Sequence, residues 1–201
     1  FLTRHLLLDW RVGEDHFTPG LTQYDKTHMY QTYDVTRMVR SGRNALGAML
    51  SEGWWSGLLS FGPIWNHFGD RQSLLVRLVV RYRDGATDVV TSNARDWKTF
   101  AGGPVVYSSL DMGEVHDARK EAAIQGWSAA GYDDRAWSPA REVPLAGTAF
   151  VGASSDPFGR ATHVSSDRMS LVGQVGASPG GYRPLTAKSV REVRDGVYVY
   201  D

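Results

Sequence analysis

Apolar and polar residues alternate most regularly between positions 74 and 91. Leu74, Val76, Leu78, Val80 and Tyr82 share one parity, while Arg77, Arg81 and Arg83 share the other with Leu75 and Val79. Side chains alternate across a strand with period 2, so the pattern predicts a strand with one buried face and one wet face. Asp84-Gly85 follows, and it suits a tight hairpin because both residues tolerate positive φ. Thr87, Val89 and Thr91 then alternate with Asp88 and Val90 on the predicted return strand.

Shorter apolar runs flank this hairpin. Phe1 to Asp9, Met29 to Tyr33 and Asn44 to Leu50 read as strands before it. Trp97 to Phe100, Pro104 to Ser108, Arg141 to Leu145, Met169 to Val175 and Arg183 to Val193 read as strands after it. Asp34 to Gly42 predicts one or two helical turns, with Asp34 as N-cap and Gly42 just past the end. Trp10 to Gly20, Glu52 to Gly57 with Phe61-Gly62-Pro63, and Gly147 to Ser166 read as loops rich in glycine, proline or serine. Many short strands with almost no helix predict an all-β fold: a jelly-roll-type antiparallel β-sandwich with long loops and one or two short helical turns. The expected organisation is a sandwich over residues 1–187, with residues 188–201 as a strand leading into a following domain. Phe1-Leu2-Thr3, with neither Met nor leader, and the unfinished alternation from Gly196 to Asp201 read as the ends of a piece of a longer polypeptide.

Composition narrows the partners. At 201 residues the chain can bury about 70% of its unfolded surface without staples. Lys plus Arg and Asp plus Glu both total 22, and this balance argues against nucleic acid or a membrane surface as partner. The chain has no cysteine, which excludes disulfides and thiolate metal sites and leaves the compartment open. No apolar run reaches the roughly 18 residues of a bilayer span.

Glycoside cleavage commonly uses two carboxyl groups, about 6.5–9.5 Å apart in inverting enzymes. Glu114 and Asp117, with Glu52 or Asp70, are the acids to consider. Three apart on an extended chain, Glu114 and Asp117 point to opposite faces, so a structural ion pair with Arg119 or Arg71 is the favoured reading and no catalytic residue is assigned. Tyr24-Asp25-Lys26-Thr27 and Tyr132-Asp133-Asp134 are oxygen-rich, yet neither supplies the six to eight ligands calcium takes. Asp25 is the candidate metal ligand, and Asp133-Asp134 reads as an Asx-turn. The histidines show no zinc-type spacing, and no phosphate-binding loop is present. Trp54, Trp55, Phe61, Trp65 and Phe68 cluster beside polar side chains. Flat rings with planar polar groups suit a sugar, so the candidate carbohydrate-binding set is Trp65, Asn66, His67, Asp70, Arg71, Glu114, Asp117 and Arg119. The plainer alternative, rings capping the sandwich's end, is favoured for Trp54 and Trp55 and is an even match for Trp65.

A family resemblance runs through the chain in order. It is carried by Phe17-Thr18-Pro19-Gly20-Leu21-Thr22-Gln23-Tyr24, Tyr30-Gln31-Thr32-Tyr33-Asp34-Val35-Thr36, Glu52-Gly53-Trp54-Trp55 and Phe68-Gly69-Asp70-Arg71. Gly113-Glu114-Val115-His116-Asp117-Ala118-Arg119, Gly126-Trp127 and Tyr132-Asp133-Asp134-Arg135-Ala136-Trp137 continue it. The set resembles the N-terminal β-sandwich module of bacterial α-L-rhamnosidases, family 78 glycoside hydrolases, and Gly196 to Asp201 resembles the strand opening the next β-domain. Trp10, at a usual turn glycine, and Lys26, beside Asp25, depart from the pattern. The resemblance implies part of a multidomain enzyme that removes terminal L-rhamnose with inversion, its acid and base lying in a separate (α/α)6 barrel. No catalytic residue therefore carries over to this chain. Related modules in some members bind L-rhamnose with calcium, which makes calcium the one cofactor to consider. The implied partners are L-rhamnose-containing glycosides and the remaining domains of the parent enzyme. Three readings follow: an accessory portion inactive alone, a stand-alone L-rhamnose-binding module, or a structural interdomain spacer.

Overall fold

The structure, a computed structural model, describes residues 5–8 (backbone), 12, 13, 15, 16, 18–24, 26–58, 65, 66, 68–143, 169–176 and 186–200. Its architecture is all-β, of the sandwich type expected from the punctuation of the sequence. The first strands are β1 (His5–Leu8), β2 (Thr27–Tyr30) and β3 (Leu46–Met49), followed by a single helical turn α1 (Gly53–Ser56). Next come β4 (Arg77–Arg81), β5 (Thr87–Thr91), β6 (Lys98–Thr99), β7 (Val105–Ser109) and β8 (Gly113–His116). A 3₁₀ helix (Ala118–Ile124), β9 (Ser138–Pro139), β10 (Ser170–Gly173), β11 (Val190–Arg194) and β12 (Val197–Tyr200) complete the order. β1 pairs with β3, β4 with β5, β6 with β9, β7 with β8 and β11 with β12, all antiparallel.

The β4–β5 hairpin follows its sequence pattern closely. Leu78 and Val80 are half-buried while Arg77, Val79 and Arg81 face water. Gly85 takes φ +90° at the turn, where a side chain would be strained, and the Asp84 carboxylate accepts from the Ala86 N–H at 2.9 Å.

Two expectations are corrected and one is narrowed. The sandwich is not wholly antiparallel: β2 pairs with β10 in parallel, Thr27 opposite Ser170 and Tyr30 opposite Gly173. Parallel strands require a long crossover, and no local alternation reports one. Asp34 opens a single helical turn, the lower end of what was expected: the Met38 and Val39 N–H groups both donate to the Val35 carbonyl, at 2.9 and 3.2 Å, and no longer helix follows. The Asp34 Oδ1 accepts from both N–H and hydroxyl of Thr36, the bond an N-cap side chain makes to the first turn. Residues 141–143 form no strand, and the rest of that predicted strand lies outside the described residues.

The main core is aromatic. Tyr24 is fully buried, Trp55 is 2% exposed and Phe68 is buried beside them, with Trp54 packed against the group. Phe68 meets Tyr24 edge-on at a centroid distance of 4.8 Å, a favoured ring geometry. Trp54 and Trp55 thus serve the core, in keeping with the plainer alternative. The Tyr24 hydroxyl donates to the Gly20 carbonyl at 3.1 Å, which satisfies its polar end. Gly69 passes so close to Trp55 that a Cβ would lie 2.5 Å from the ring. A second aromatic group stacks Phe100 on Trp137 (5.5 Å) and Trp137 on Trp127 (6.2 Å), with Tyr132 at the edge of Trp137.

Candidate functional site

The candidate residues are placed by the chain leaving α1 and by the β7–β8 ladder. The Glu52 carboxylate accepts from the Ser108 N–H at 3.0 Å, which ties α1 to β7. Asn66 N–H donates to the Ser56 carbonyl (3.0 Å), Phe68 N–H to the Trp55 carbonyl (3.3 Å), and Gln72 Nε2 to Ser56 Oγ (2.6 Å). These bonds fix Trp65 and Asn66 against the turn. Asn66 takes φ 56°, a left-handed conformation asparagine tolerates better than most residues. Trp65 is 36% exposed and lies 5.6 Å from Tyr107 of β7, the ring planes at 59°. The Tyr107 hydroxyl donates to Ser109 Oγ at 2.6 Å, holding the second ring in place. Sequence reasoning missed Tyr107. Its signal was only an aromatic residue on a short strand, because the ring it meets is distant in the chain.

Glu114 is turned from this ring corner, and Asp117 and Arg119 are engaged with each other. Tyr107 stands opposite Val115 and Ser108 opposite Glu114. Directly paired residues share a face and successive residues alternate. Glu114 therefore lies on the face of β7–β8 away from Tyr107 and Trp65. Asp117 and Arg119 lie beyond the end of β8, where Asp117 caps the 3₁₀ helix. Arg119 donates to Asp117 through Nε at 2.8 Å and Nη2 at 2.9 Å, and its N–H adds a third bond. This fork, together with nearby Lys120, draws the Asp117 carboxyl from 3.8 down to about 2. The stem of Arg119 rests against Gly196 in the β11–β12 turn, where a Cβ would meet Cγ at 2.8 Å. Asp70 and Arg71 pair with each other on the surface at 3.6 Å. His67 lies outside the described residues.

The chemistry of these three groups differs. Trp65 and Tyr107 offer a partly exposed pair of rings, a surface on which the apolar face of a sugar can stack. Asp117 is an acceptor already held by arginine, unsuited to moving a proton near neutral pH. Asp133 is used in the same way: its Oδ1 accepts from the Arg135 N–H (3.2 Å), the expected Asx-turn, and from Arg135 Nε (2.8 Å). Asp25, the candidate metal ligand, lies outside the described residues. Its neighbour Lys26 donates to Gln23 Oε1 at 3.1 Å. Among the described residues, no group of three or more His, Asp or Glu side chains gathers as a metal site requires. Among them, too, no helix is long and apolar enough to cross a membrane.

Comparison with known proteins is consistent across its three forms. Residues 9–162 match the family described as the α-L-rhamnosidase N-terminal domain. An α-L-rhamnosidase of Streptomyces avermitilis is 41% identical over 192 residues, which cover 95% of this chain and 16% of that protein. An α-L-rhamnosidase of Alteromonas sp. (strain LOR) is 37% identical over 126 residues, covering 63% of this chain and 13% of that protein. The crystal structure of Streptomyces avermitilis α-L-rhamnosidase complexed with L-rhamnose superposes with a TM-score of 0.72 at 36% identity. It covers 98% of this chain and 17% of the solved one.

Proposed function

Because this chain belongs to the α-L-rhamnosidase N-terminal domain family, we propose that it is the non-catalytic β-sandwich portion of an enzyme that releases terminal α-L-rhamnose from glycosides. The observation that carries this reading is one of proportion. Nearly the whole chain matches the Streptomyces avermitilis enzyme, yet it spans only 16% of that protein's length. The acids support the same reading: Asp117 is held by Arg119, and Glu52 holds β7 through Ser108. In the full-length enzyme, Glu114→Gln and Asp117→Asn are expected to keep kcat on L-rhamnosides within about twofold. A fall on the order of 10²-fold or more, the cost of losing a general acid or base, would overturn the reading.

A second reading is favoured by the exposed Trp65 beside Tyr107. On it, this portion also contacts L-rhamnose, with the Trp65 ring under the sugar and the Asn66 amide at its hydroxyls. Calorimetry of the full-length enzyme with L-rhamnose checks it. Trp65→Ala removes one binding event from the titration if the ring corner is a sugar site, and unchanged stoichiometry removes the reading.

A further inference from the structure

We propose that the outer face of the β4–β5 hairpin docks this portion onto an acidic patch of the remaining polypeptide of its parent enzyme. The proposal rests on the accessory-portion reading above. Arg77 stands opposite Thr91, Val79 opposite Val89 and Arg81 opposite Thr87. One face therefore carries an apolar pair between two guanidiniums, whose strand positions are about 14 Å apart. Val79 and Val89 are 41% and 49% exposed. Leu75, of the same parity just ahead of the strand, is 76% exposed.

The acids of the hairpin are turned away from this face. Asp88 stands opposite Val80, and its Oδ2 accepts from the Tyr82 hydroxyl at 2.7 Å. Asp84 is engaged in the turn with Ala86. Among the described residues, the arginines in ion pairs are Arg71, Arg95, Arg119 and Arg135, each beside an aspartate one or two positions away. Arg77 and Arg81 are not among them. Exposed valines alone are ordinary surface, but an apolar centre with arginine around it is the anatomy of a protein interface. The charge of the face calls for carboxylates on the other side. A glycan is the weaker fit, because sugars stack on rings and the ring of this hairpin, Tyr82, sits with Asp88 on the opposite face. Polypeptide to supply the partner is ample if the parent has the proportions of the relative that this chain covers to only 16%.

Hydrogen–deuterium exchange on the full-length enzyme tests the proposal. Arg77→Glu/Arg81→Glu is expected to raise uptake at least about twofold in peptides covering residues 74–93 and in one acidic segment outside this portion. Salt of about 0.5 M reproduces part of that rise in the wild type, since partly exposed charges are screened. Arg95→Glu/Arg135→Glu, which touches locally paired arginines, leaves both regions unchanged. Arg77→Gln/Arg81→Gln, with near-ultraviolet circular dichroism as a check of folding, gives the same direction of change should charge reversal prevent folding. Unchanged uptake outside this portion in both Arg77/Arg81 variants overturns the proposal. So does loss of polygalacturonate binding with uptake unchanged, which assigns the face to an acidic glycan. A halved mass by light scattering also overturns it, by assigning the face to a second copy. Any of these results with kcat still insensitive to Glu114→Gln removes the docking face and leaves the accessory-portion reading standing.

Discussion

The Asp117 carboxylate receives two hydrogen bonds from the Arg119 side chain and one from its backbone, and its titration follows from that. With the folded value at about 2 against an ordinary 3.8, the unfolded chain takes up the proton first as pH falls. The contribution of Asp117 to stability is therefore complete above about pH 4 and is lost as pH drops toward 2. Asp117→Asn keeps an acceptor for the Arg119 N–H and discards the charge. Urea unfolding at a series of pH values should show a flatter dependence between pH 4 and 2 in this variant. Gly69→Ala makes a packing prediction of the opposite kind. A methyl 2.5 Å from the Trp55 ring overpacks a full core and should cost about 1–3 kcal/mol, read as a lower thermal midpoint. Of the candidate site, the sequence made readable what is local in it. An aspartate two positions before an arginine at a turn announces its own pair. The meeting of Trp65 with Tyr107 depends on tertiary packing, and so does the separation of Glu114 from both, which follows from the register of β7 on β8.

Among elements, the β4–β5 hairpin was the most readable because each signal is short-ranged: period 2, an Asp-Gly turn, and threonine and valine on the return strand. Gly85→Ala places a Cβ at φ +90°. The expected cost is about 1–3 kcal/mol, with the peptide carrying residues 77–91 exchanging deuterium faster than in the parent protein. Elements decided by distant contacts were harder to foresee. Gly53–Ser56 carries two tryptophans between glycines and reads as loop, yet it closes a helical turn whose Trp55 enters the core. Its geometry is set by bonds to Asn66, Phe68, Gln72 and Ser108, none of them local in sequence. The 3₁₀ helix Ala118–Ile124 was missed for a related reason, since its start depends on the Asp117 cap and the neighbouring Arg119.

At the scale of the whole molecule, separated segments are drawn together by rings. Tyr24 precedes β2, Trp55 lies in α1 and Phe68 follows it, and the three meet in the main core. Trp55→Ala should cost about 3–5 kcal/mol and lower the thermal midpoint more than any change at the surface pair Asp70–Arg71. The all-β class was readable because it is a sum of many local choices, whereas the pairing of strands is a choice among distant partners. The parallel ladder of β2 with β10 shows what that means for the protein as it is made. Thr27 and Ser170 are 143 positions apart, a stretch that a ribosome adding about 5–20 residues per second needs roughly 7–30 s to synthesise. Until then the nascent chain holds Thr27–Tyr30 as an open edge, exposed to other unfinished chains. A chain stopped at residue 162, where the family match ends, never receives that partner. It should scatter more light on standing than one extended to residue 176.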